Sequence, residues 1–87
     1  MANPVVMNLE KGVWHKVAEN VTKGYVHILS SGGYSIKQTY RVFEGDAPTG
    51  DDEGVVMGEY GSPISAVSGI DVYLFSEFSE FTIRVDL

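Results

Sequence analysis

Eighty-seven residues without a cysteine make one domain, residues 1–87, whose small core leaves a modest stability margin and has no disulfide to widen it. Oligomerisation or docking on a larger partner is the usual remedy for a β domain of this size. With 12 Asp and Glu against 6 Lys and Arg, a formal charge of −6, the chain lacks the clustered cations that a nucleic acid or an anionic membrane surface requires.

The first ten residues carry neither the basic region nor the apolar segment of a secretory signal, and no apolar run approaches the ~20 residues of a membrane span. The expectation is a chain made and folded in a cytoplasm, in which Asn20-Val21-Thr22 matches a glycosylation sequon by coincidence. Pro4 holds its predecessor out of the helical region, so residues 1–9 read as an N-terminal arm. Val5–Leu9 within it is either a short strand or a segment that lies on a neighbour. Glu10-Lys11-Gly12 reads as a turn.

Residues 13–18 alternate Val13, His15, Val17 against Trp14, Lys16, Ala18, which suits a strand. The polar stretch 20–24 reads as a connection. Residues 25–30 form the next strand, with Tyr25, His27 and Leu29 facing one way and Val26 and Ile28 the other. Bulk on both faces is expected of a strand covered on both sides or facing a partner. Ser31-Gly32-Gly33 turns the chain.

Residues 34–57 organise the middle. Ile36, Gln38, Tyr40 and Val42 alternate with Lys37, Thr39 and Arg41; a loop follows with five carboxylates among three glycines and a proline, and then a new apolar run begins at Val55. Gly58 suggests a bulge in that run, and Gly61-Ser62-Pro63 ends it. Residues 64–67 read as a short strand and Ser68-Gly69 as a turn. Ile70, Val72 and Leu74 then alternate with Asp71, Tyr73 and Phe75, and Phe81, Ile83, Val85 and Leu87 with Thr82, Arg84 and Asp86. Seven to eight short strands without a helical period predict an all-β fold, a small antiparallel sandwich or barrel.

Chemistry-bearing constellations are weak. Asp46, Asp51, Asp52 and Glu53 are oxygen donors of the kind that calcium takes, but their spacing is not that of an EF-hand, and a solvated loop is the simpler reading. His15 and His27 lie on strands without a third ligand or a nucleophile-elbow serine. Gly58-Glu59-Tyr60-Gly61 lacks phosphate-loop spacing. Phe75, Phe78 and Phe81, spaced by three, read as a hairpin folding over the core or as an aromatic anchor for a partner. No catalytic residue, cofactor or metal is expected from these patterns, and the interface candidates are Val5, Val6, Phe75 and Phe78.

Over nearly its whole length the chain resembles a group of short β-rich structural proteins of tailed bacteriophages. The likeness is carried in order by W-H-K-V-A at 14–18, Q-T-Y-R at 38–41, A-P-T at 47–49 and E-G-V at 53–55. It continues through I-S-A at 64–66, G-I-D-V-Y-L at 69–74 and R-V-D-L at 84–87. The phenylalanine run at 75–81 departs from the glycine-rich pattern of the group.

The resemblance implies a non-enzymatic virion protein assembled in a bacterial cytoplasm. The favoured form is a capsid decoration or cement protein that docks on the major capsid protein or another virion protein as a homo-oligomer. The alternative is a collar, tail or fibre accessory protein; one form of it is a module that binds a host-surface glycan, for which Trp14, Tyr60 and the acidic loop are the candidate residues.

Overall fold

The β-branched and aromatic alternation of the sequence becomes one antiparallel sheet. A computed structural model describes residues 4–30, 36–42, 48, 54–57, 61–77 and 79–87. Among them are six strands: β1 (Val5–Leu9), β2 (His15–Ser30), β3 (Lys37–Val42), β4 (Val55–Val56), β5 (Gly61–Phe75) and β6 (Phe81–Asp86). Their order across the sheet is β1-β6-β2-β5-β3-β4, and the sheet curls into a half-barrel.

Two long strands make the curl. β2 runs 16 residues and β5 runs 15, and they pair from His15↔Leu74 to His27↔Gly61 with register shifts between Lys16 and Lys23. Val21 faces Ile70 while Lys23 faces Ser65, so four residues of β5, 66–69, bulge opposite a single residue of β2. Extra residues on one strand bend it and increase its twist. Each long strand therefore serves two layers. The first layer is β1, β6, the second half of β2 and the first half of β5. The second is the first half of β2, the second half of β5, β3 and β4.

Side chains confirm that the layers face each other. Gln38 and Tyr40 pair in register with Leu74 and Val72. Yet Gln38 Nε2 donates to Ser62 Oγ at 3.0 Å, and the Tyr40 hydroxyl donates to the Pro63 carbonyl at 3.3 Å. Those partners lie far down β5, within reach only because the strand folds over. Between the layers lies one apolar core, with Val17, Ala18, Val26, Ile36, Met57, Ile64, Val72, Leu74, Phe81, Ile83 and Val85 buried together. At about 1.5–3 kcal/mol for each fully buried Val, Leu, Ile or Phe, it supplies the main drive to fold.

The corner is pinned by polar groups. Asn20 takes the left-handed conformation at φ 50°, which asparagine tolerates better than most residues. Its N–H donates to Oδ1 of the buried Asp71 at 3.0 Å, and Lys16 Nζ lies 3.7 Å from Asp71 Oδ2. The Asn20 side chain occupies the space into which a Cβ on residue 69 would project. Only glycine fits there without displacing it.

Several sequence expectations change. The strands expected at 13–18 and 25–30 are parts of one strand, as are those expected at 64–67 and 70–75, so six strands replace seven to eight among the described residues. The intervening polar and glycine residues bend a continuing ladder instead of ending it. Gly61-Ser62-Pro63 opens β5 rather than closing a strand. Proline is tolerated at this point because β3 pairs with β5 only from Ile70 to Phe75, leaving Pro63 on an edge. The N-terminal arm is also revised: Val5–Leu9 pairs with β6 from Val5↔Val85 to Leu9↔Phe81, because its apolar residues extend the core-facing row of β6. Residues 1–3 lie outside the described residues.

Candidate docking face

Alternation gives each layer an outward face, and the register places its residues. On the first layer Val6, Arg84 and His27 form one row, Asp86, Tyr25 and Pro63 a second, and Asn8 and Thr82 a third. Their sequence neighbours Val26, Ile83 and Val85 point into the core, so strand period alone sends the polar set outward.

One carboxylate oxygen organises this face. Asp86 Oδ2 accepts from His27 Nε2 at 2.7 Å and from Arg84 Nε and Nη2 at 3.2 and 3.1 Å. Charge-assisted hydrogen bonds of this kind fix the guanidinium and the imidazole together. The Tyr25 ring lies 4.6 Å from the His27 ring, and Thr82 Oγ1 donates to Asn8 Oδ1 at 2.7 Å across β6 and β1. The groups stay open to water: the Arg84 side chain is 42% exposed, and Val6 is 60% exposed beside it.

An ordered Tyr–His–Arg–Asp set with an aliphatic neighbour has the composition of an interface centre, where tyrosine and arginine are enriched and contribute most of the affinity. Chemically the face offers guanidinium donors, a carboxylate and an aromatic plane. The groups set beside the His27–Asp86 pair are Arg84 and Tyr25.

The outward face of the second layer differs. Asp71, Tyr73 and Phe75 lie on it and are all buried, and the Trp14 ring lies 5.2 Å from that of Phe75. Gly54 lies against the same indole, where a Cβ would collide with Trp14 Cη2 and the Gln38 carbonyl.

These faces locate the residues singled out in sequence. Val6 belongs to the open face. Val5, half-exposed, sits on the core-facing side of the edge strand. Phe75 is only 7% exposed, and Phe78 lies outside the described residues, as do Tyr60 and the loop carboxylates Asp46, Asp51, Asp52 and Glu53. Trp14 is half-buried on Phe75. His15 Nε2 donates to the Glu10 carbonyl at 2.9 Å, and its ring meets Phe81 edge-on. Among the described residues no three His, Asp or Glu side chains gather as a metal set.

Sequence reasoning missed the set centred on Asp86. The signal was present in the outward positions of residues 25, 27, 84 and 86, but it becomes visible only once β2 and β6 are known to pair. No family model, no curated protein and no solved structure matches the chain.

Proposed function

We propose that this chain is a non-enzymatic structural protein of a tailed-phage virion, a decoration or cement subunit that docks on the head shell and stabilises it. The observation that carries the reading is the open face of the first layer, where Tyr25, His27, Arg84 and Asp86 are held in a fixed arrangement beside exposed Val6. Such a face costs little ordering entropy when a partner covers it. The resemblance along the chain points to the major capsid protein as that partner. A formal charge of −6 suits a partner surface that is basic and disfavours direct contact with packaged nucleic acid. A small cysteine-free core gains stability by binding, since any partner that binds only the folded state stabilises it.

A second reading, a collar, tail or fibre accessory, has one observation in its favour. Tyr25, an exposed aromatic ring beside the Asp86 carboxylate, is an arrangement that can stack on a sugar ring while accepting from its hydroxyls.

Co-sedimentation with purified heads and, separately, purified tails of the encoding phage distinguishes the two. Decoration predicts binding to heads at many copies. Binding to tails alone, or at a few copies per head, favours the accessory reading. Binding to neither rejects assembly on the virion.

A further inference from the structure

The two edges of the sheet are protected unequally. β4 is two residues long, and a short edge offers little template for another strand. β1 pairs with β6 over all five of its residues without a bulge, so alternate N–H and C=O groups point away from β6. Among the described residues no strand lies on that side. V-V-M-N-L carries no charge and no proline, the devices that usually block edge pairing.

We infer that β1 is a pairing edge, and that its occupant is β1 of a second copy, run antiparallel about a two-fold axis through Met7. The strand is self-complementary in that register. Positions that sum to 14 face each other, since 5 + 9, 6 + 8 and 7 + 7 share that sum, and all five residues of β1 find a partner. Val5 then meets Leu9 of the second copy and Met7 meets its own equivalent, all on the core-facing side where Val5 is still 49% exposed. Val6 meets Asn8 of the second copy on the outward side. A shift of one residue would set core-facing positions against outward ones, which a strand with one buried face resists.

Charge argues for the same occupant. In a chain of formal charge −6, this edge is an uncharged strip, and a second copy of the strip brings no carboxylate to it. Five residues of strand fall short of the ~1,200 Å² of a standard interface, so the pair is weak in free solution.

The pairing deepens the docking reading, which it needs for its use but not for its existence. An antiparallel pair has its two-fold axis normal to the sheet, so the sheet continues β2-β6-β1 into β1-β6-β2 of the second copy. Both open faces then point the same way. Two Tyr25–Asp86 sets on one rigid platform engage two sites on a shell at once, and avidity replaces the affinity that a single face lacks.

The absence of native cysteine gives a direct test. Under mild oxidation the Met7→Cys variant of the full chain, the one position of β1 that meets itself, forms a disulfide-linked dimer. Opposed residues of an antiparallel pair lie within disulfide reach. Because Met7 partly packs on the core, a second test uses exposed positions: Val6→Cys and Asn8→Cys cross-link when mixed and not when oxidised separately. Sedimentation of the unmodified chain gives half-association between about 10 µM and about 1 mM, tightened by salt because like-charged copies repel less.

A monomer at about 1 mM, or a dimer cross-linked through Val55→Cys and not through either β1 design, overturns the inference. Head co-sedimentation of the unmodified chain is scored independently. Loss of pairing with head binding intact therefore rejects the dimer alone, and loss of head binding with pairing intact rejects the docking reading alone.

Discussion

The same two long strands make both outward faces of this sheet, and the faces end in opposite states. On the second layer Asp71, Tyr73 and Phe75 are buried, and Trp14 lies over Phe75. On the first layer Tyr25, His27, Arg84 and Asp86 remain at the surface, tied to one another and flanked by Val6. Both faces alternate with core residues in the usual way of a strand. What separates them is packing: on one side two large aromatics lie beside a tryptophan, with Asp71 buried and tied to Asn20 and Lys16, and on the other the polar set stays at the surface. A covered outward face adds a second small core to a chain short of apolar area. An uncovered one holds its side chains in place for something else.

The comparison breaks first if the covered face is not a core. Phe75→Ala is expected to destabilise the fold by about 3–5 kcal/mol, a large share of a typical margin. Urea unfolding measures it, and a loss below about 1 kcal/mol, the range of ordinary surface changes, would mean that Phe75 contributes no packing. Truncating Tyr25 to alanine on the open face should leave the urea midpoint close to that of the parent.

Next in size is the corner that lets one strand serve both faces. Asp71→Ala orphans the Asn20 N–H and should cost about 1–3 kcal/mol, or about 4–8 °C of melting temperature for each kcal/mol in a domain of this size. The Lys16 contact adds little to that figure, because its side chain is 41% exposed and solvent screens such pairs. Gly69→Ala should cost less, under about 1 kcal/mol, because its Cβ meets the end of the exposed Asn20 side chain, which can swing toward water. A thermal melt that leaves Asp71→Ala at the parental midpoint would show that the corner relaxes freely.

How much of this was legible beforehand follows from range. Period two alone set Ile70, Val72 and Leu74 apart from Asp71, Tyr73 and Phe75, and Phe81, Ile83, Val85 and Leu87 apart from Thr82, Arg84 and Asp86, because each strand carries its own alternation. Which set faces the core came only from the structure, where Leu87 is half-exposed. The bend at Asn20 and Gly69 reads in sequence as a connection over 20–24 and a turn at Ser68-Gly69. A polar residue beside a glycine looks the same in sequence whether the ladder ends or bulges. The β1–β6 pairing was hidden as well, since it joins residues more than 70 positions apart. Of the docking face, Val6 was singled out as part of an N-terminal arm, while Tyr25, His27, Arg84 and Asp86 come together only through long-range pairing.

The smallest effect on stability belongs to the open face. Asp86→Ala should shift stability by less than about 1 kcal/mol, as for other exposed ion pairs, while freeing His27 and Arg84 from their fixed geometry. Its mark is a loss of partner affinity without a loss of fold.

The most direct test is therefore head co-sedimentation of Arg84→Ala beside the parent chain, with melting temperatures recorded for both. The account predicts a melting temperature within about 4–8 °C of the parent, the equivalent of about 1 kcal/mol, and at least a roughly tenfold loss of binding, the mark of a residue at an interface centre. A folded Arg84→Ala variant that decorates heads as strongly as the parent would contradict it.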